Sequence, residues 1–151
     1  EIQNLIERLR RSGLRLDREG RWWHEGEQVT HRRLAMVLNQ WLDRLDDGRY
    51  ILRLDAERYA YVEVEDAPFQ LLTLEQRGEA LWATLSDGSE EELAYGSLTE
   101  GEGGALYCQV RGRFSARFSR QAQQLIAPRV EQDEDGFALR AAGKSWPIGA
   151  A

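Results

Sequence analysis

A single cysteine, Cys108, in 151 residues excludes an internal disulfide, and no apolar run approaches the length of a membrane-crossing helix. Cys108 sits in the alternating run Leu106-Tyr107-Cys108-Gln109-Val110 with Leu106 and Val110 on its side, the pattern of a buried structural thiol. A net positive charge is lacking as well, with 20 basic against 26 acidic residues. A net charge of -6 argues against non-specific binding to a phosphate backbone, which needs a clustered basic surface, so neither nucleic acid nor membrane is expected as a partner. Phosphate-cradling glycine loops are missing, because Gly101, Gly103 and Gly104 lie among acids with no lysine following. No serine stands in a glycine-flanked nucleophile elbow, and Cys108 has no base nearby in sequence. His24, His31 and the acids show no zinc or calcium spacing, so the expectation is no catalytic set, no metal and no cofactor. The chain opens at Glu1 rather than Met and shows no apolar signal region. We therefore expect a cytoplasmic protein with a trimmed N-terminus or a removed leader.

What is present is globular. Hydrophobic residues make up 42% and charged residues 30%, with 14 Gly, which excludes disorder and low complexity at a length able to bury a core. The centre of organisation is Tyr50 to Phe69. Tyr50–Leu54 and Ala60–Val64 alternate with period two and read as strands, with Ala60, Val62 and Val64 inward and Tyr61, Glu63 and Glu65 outward. Pro68 lacks a ladder donor and biases Ala67 to an extended conformation, so Asp66–Pro68 should break the strand.

Ile2, Leu5, Ile6 and Leu9 predict an N-terminal helix over residues 1–14, ended by Gly13. A hairpin around Glu25-Gly26 comes next. Thr30 is then the expected N-cap of a second helix, with an apolar stripe of Leu34, Val37, Leu38, Trp41, Leu42 and Leu45 ended by Asp47-Gly48. Trp41 on that stripe should be buried. Further strands are expected at Phe69–Leu74 and Leu81–Leu85, closed by Ser86–Ser89. Glu100–Gly104 reads as a linker. Beyond it come a strand at Leu106–Arg111, a helix capped by Ser115 with Phe118, Ala122, Leu125 and Ile126, and strands at Phe137–Arg140 and Trp146–Ile148. Side by side, the halves share an order: strand, a turn with Gly26 or Gly112, a cap at Thr30 or Ser115, a helix, then Asp47-Gly48 or Asp135-Gly136 and strands. The expected fold is therefore α+β, two repeated motifs, each a helix packed on a small antiparallel sheet. The motifs span residues 15–100 and 105–151, packed as one globular unit.

Trp22, Gly26, Val29, Asp47, Gly48, Tyr50, Leu52, Glu57 and the run Val64-Glu65-Asp66-Ala67-Pro68-Phe69 fall in an order that resembles a bacterial family, domain of unknown function family 1285. Val110, Arg111, Ala116, Arg120, Leu125 and Gly143 are similar to its later segment. The chain departs from the family pattern at His31, where Arg is usual, and at Leu54-Asp55, where Thr-Pro is frequent. The resemblance implies a two-motif α+β fold and a part in signal transduction.

Charge is distributed unevenly. Acids dominate residues 43–102, whereas Gln109–Val130 carries Arg111, Arg113, Arg117, Arg120 and Arg129 and no acid. Glu65 and Asp66 are accordingly expected near Arg111 or Arg120, as a ligand-binding cleft or a structural ion pair, since a buried charge needs a partner. Gly26, Asp47, Gly48, Pro68 and Phe69 are read as structural. The expected function is a non-enzymatic regulatory or ligand-binding module with an unknown protein partner or small-molecule ligand. The alternatives are an enzyme using the Glu65 and Asp66 carboxylates, or a purely structural interaction domain.

Overall fold

Residues 13–151 are described by the computed structural model, so the apolar pattern from Ile2 to Leu9 lies outside the described residues. The expected α+β pair of repeated helix-on-sheet motifs is overturned. Of the described residues 48% are strand and 19% helical, in sixteen strands, three sheets and two α-helices. The chain divides into two compact units, one ending at Pro68 and one running Phe69–Ala151, so the glycine-rich Glu100–Gly104 stretch lies within the second.

In the first unit, β1 (Leu14–Leu16), β2 (Trp22–His24) and β3 (Glu27–Gln28) form one antiparallel block, and β4 (Leu42–Arg44), β5 (Tyr50–Arg53) and β6 (Tyr59–Val64) form another. The blocks join through a parallel pairing of β1 with β6, giving the order β3-β2-β1-β6-β5-β4. Between them α1 (Arg32–Trp41) connects the two edge strands, β3 to β4. Its Leu34 and Leu38 pack with Leu14, Leu16, Trp22, Leu42, Leu52 and Val62. Alternation in β6 holds, since Ala60 and Val62 are buried while Tyr61 and Glu63 are exposed.

The second helix differs from expectation at both ends. Its N-cap is His31, whose Nδ1 accepts from the Leu34 amide at 3.2 Å, and not Thr30. A guanidinium has no acceptor, so an arginine at position 31 could not supply this cap. The helix stops at Trp41, and Leu42 passes into β4. The apolar pattern beyond Trp41 therefore belongs to a strand, and Trp41 is only partly buried against the core. Trp22, 1% exposed, takes the central place and donates its indole N–H to Asn39 Oδ1 at 2.8 Å.

In the second unit β7 (Phe69–Arg77), β8 (Ala80–Leu85) and β9 (Glu90–Glu92) make an antiparallel meander, as do β10 (Thr99–Glu100), β11 (Leu106–Val110) and β12 (Phe114–Phe118). A parallel pairing of β12 with β7 joins them, and β16 (Gly149–Ala150) adds to β10 in parallel. Both large sheets are thus mixed, not antiparallel. A separate three-stranded sheet comprises β13 (Val130–Asp133), β14 (Gly136–Ala141) and β15 (Lys144–Pro147).

Ser115 caps no helix. Phe114, Ala116 and Phe118 are buried while Ser115 is exposed and Arg117 half-buried, the period of a strand. The helix α2 (Arg120–Ile126) begins later, with Ser119 Oγ accepting from the Ala122 amide at 3.0 Å. The two helices occupy different places in the strand order, α1 between blocks and α2 after β12, which is why the expected correspondence of caps fails.

Candidate functional site

Aspartates close many of the loops that join these strands. Asp17 is 4% exposed, with Oδ1 accepting from the Glu19 and Arg21 amides at 3.0 and 2.8 Å and Oδ2 from Arg21 Nε and Trp23 Nε1 at 2.9 and 2.8 Å. Burial alone raises its pKa, but hydrogen bonds from the Trp23 indole and from Arg21 outweigh it and hold the carboxyl below its ordinary value. Asp47 accepts from the amide and Nε of Arg49 at 3.0 and 2.7 Å. Asp55, with Arg58 Nε at 2.7 Å and the Glu57 and Arg58 amides, is lowered to about 2, the Arg58 side-chain bond being the largest cause. Local arginines and turn amides thus neutralise many of the acids.

The charged residues singled out from the sequence are engaged in the same way. Glu65 accepts from the amide and Nε of Arg18 at 3.2 and 3.3 Å, with Arg15 NH1 3.6 Å away. This ties the loop after β1 to the end of β6, and Asp66 adds its field at Arg18. Pro68 and Phe69 are buried, and the strand breaks between Glu65 and Pro68 as expected. In the second unit Arg111 has φ 51 and is followed by Gly112 at φ 77. Its amide donates to the Glu91 carboxylate at 3.0 and 3.2 Å, its NH1 donates to the buried Asp87 at 3.0 Å, and its guanidinium lies over Phe69. Arg120 is exposed at the start of α2. Gly26, at φ 81 after Glu25 at φ 50, makes the tight turn between β2 and β3.

A cavity of about 260 Å³ opens inside the second unit. One wall is the last turn of α2 and the residue after it: Gln123, Ile126 and Ala127, spaced i, i+3, i+4 so that they share a face. Leu106 at the start of β11 and Val130 at the start of β13 supply apolar floor, and Phe137 with Ile148 closes the far side, where the Ile148 amide donates to the Phe137 carbonyl at 2.9 Å. The remaining rim is Glu100 and Gly104, at the two ends of the tight β10–β11 connection.

That connection explains the glycines that the sequence suggests as a linker. A Cβ at Gly101 would stand 2.9 Å from the Tyr107 ring, and Gly103 and Gly104 have positive φ, so the chain turns where only glycine fits easily. Gln123 pins the turn to the helix, its Nε2 donating to the Gly104 carbonyl and its Oε1 accepting from the Leu106 amide, each at 3.3 Å. An amide so held keeps one N–H and one lone pair for a bound molecule. Sequence reasoning placed Leu106 and Ile126 in the core but missed this site. Its one legible signal is Gln123, a polar residue on the face of α2 that carries Ile126.

Burial pushes the Cys108 thiol to about 12, with the Glu91 charge a smaller cause, which fits a structural thiol. Among the described residues there is no group of His, Cys, Asp and Glu placed to hold a metal, and no helix is long and apolar enough to cross a membrane.

No protein-family model and no curated protein matches the chain. Two solved structures do. A DUF1285 family protein from Silicibacter pomeroyi DSS-3 aligns with TM-score 0.75 and 21% identity over 92% of this chain and 80% of its own. A DUF1285 family protein from Shewanella baltica OS155 aligns with TM-score 0.64 and 17% identity over 79% of this chain and 93% of its own. These likenesses support the family resemblance seen in the sequence, and they establish that the chain has the fold of the DUF1285 proteins, a family named for a domain of unknown function.

Proposed function

We propose that the chain is a member of the DUF1285 family and works as a non-enzymatic, ligand-binding regulatory module whose ligand is a small molecule. The observation that carries this reading is the cavity between α2 and β14. Its lining of Leu106, Ile126, Val130, Phe137 and Ile148 is apolar, with Glu100 and Gln123 as its polar side chains. A mostly apolar hollow with a few convergent polar groups is the usual form of a small-molecule site. This lining offers no nucleophile beside a base, so occupancy and not turnover is what it can register, as a part in signal transduction requires. For Glu65 and Arg111 we infer structural roles, since their hydrogen bonds close loops within their own units.

Ala127 lines the cavity and is exposed, so Ala127→Phe should fill the space without disturbing the core. Ligand-observed NMR against small neutral aromatic compounds should find binders to the parent protein that the folded variant loses. No binder at all, or binders retained unchanged by Ala127→Phe, would overturn the reading.

A further inference from the structure

We propose that the cavity selects a small primary amine carried on an apolar body, with Glu100 as the counter-charge. The inference deepens the ligand-binding reading and rests on it. Size sets the first limit. An apolar cavity of roughly 150 Å³ can hold benzene, and drug-sized ligands need roughly 300 Å³ or more. A volume of about 260 Å³ is matched by an aromatic ring with a short alkyl arm.

Charge sets the second. Glu100 is the charged residue of the lining, and its carboxylate makes no ion pair or hydrogen bond among the described residues. That distinguishes it from Asp17, Asp47, Asp55, Glu65 and Asp87, each of which has its own arginine. Glu100 Oε2 lies beside Gly104, 4.0 Å from where a Cβ would stand there, so the carboxylate and the glycine share this part of the rim. Glu100 is exposed, so its carboxylate attracts an ammonium and repels a carboxylate or phosphate with the modest, salt-screened strength of a solvated charge at the rim of an apolar hollow. Gln123 also lines the cavity, and its Oε1, which accepts from the Leu106 amide, has capacity for one further donor.

The test compares three probes of one shape, 2-phenylethylamine, ethylbenzene and 3-phenylpropionate, by chemical-shift titration of the methyl groups of Leu106, Ile126, Val130 and Ile148. The expected order is amine tightest, neutral probe weaker and carboxylate weakest. Glu100→Gln should weaken the amine about tenfold, leave ethylbenzene unchanged and relieve the penalty on the carboxylate. Because ethylbenzene reports the cavity independently, it also shows that the variant is folded. Equal affinity for amine and ethylbenzene, or an amine affinity indifferent to Glu100→Gln, overturns the amine selectivity while the ligand-binding reading stands. Failure of all three probes to shift the lining methyls overturns both.

Discussion

Asp17→Asn is the sharpest perturbation of the first unit. Asparagine keeps one acceptor for the amides of Glu19 and Arg21 but replaces Oδ2 with an NH2 group facing the Trp23 indole N–H and Arg21 Nε. The exposed Arg21 can turn to water and is left out of the sum. The indole N–H faces a side chain only 5% exposed and loses a charge-assisted bond, a loss of about 1.5–3 kcal/mol. Asp17→Ala removes the turn acceptor as well and should cost about 3–5 kcal/mol. Urea unfolding followed by tryptophan fluorescence measures both. In a Trp23→Phe background the cost of Asp17→Asn should fall by about 1 kcal/mol or more, because no indole is left without an acceptor. The pH dependence has a fixed sign. A carboxyl lowered in the folded state contributes stability above its ordinary value of 3.8 and loses it as pH falls through the folded value, so acid destabilises the parent protein more than the asparagine variant. A cost for Asp17→Asn under about 0.5 kcal/mol, the range of an ordinary surface substitution, or strict additivity with Trp23→Phe, would refute the reasoning.

Trp22→Ala should cost about 3–5 kcal/mol and Trp41→Ala distinctly less, because Trp22 is 1% exposed and Trp41 only partly buried; equal costs in denaturant melts would contradict the packing. Cys108, buried and with its thiol pushed to about 12, should resist iodoacetamide at pH 8 in the folded protein and react on unfolding, and labelling at the rate of a free thiol would place it at the surface.

Period two is legible where one face of a strand is buried, so β6 and β8 alternate as the sequence suggests, whereas β5 and β14 each bury two adjacent residues, Ile51-Leu52 and Ala138-Leu139. Sequence and structure part where two periods overlap. Phe114–Ile126 contains a strand running into a helix, and reading both as one helix puts the cap at Ser115 in place of Ser119. The pairings of β1 with β6 and β7 with β12 join residues far apart in sequence, and no local pattern distinguishes a parallel neighbour from an antiparallel one. Leu14–Leu16 escapes notice because three residues are too few to show a period. Glu90–Glu92 carries no apolar residue to show a period, yet its backbone pairs with β8 at the sheet edge, where side-chain polarity carries little cost. The cavity is illegible for a related reason, since its lining comes from β10 to the segment before β16 and only folding brings those residues together. In Glu100–Gly104 the glycines are visible, but whether they loosen the chain or tighten it depends on the Tyr107 ring packed against Gly101.

The central claim is that the second unit holds a small molecule between α2 and β14. A crystal structure grown in 2-phenylethylamine tests it most directly. The ring is expected between Ile126 and Phe137 and the ammonium within about 3 Å of the Glu100 carboxylate, the distance of a charge-assisted hydrogen bond. A cavity closed by its own side chains at saturating amine, or amine bound only elsewhere on the surface, would contradict it.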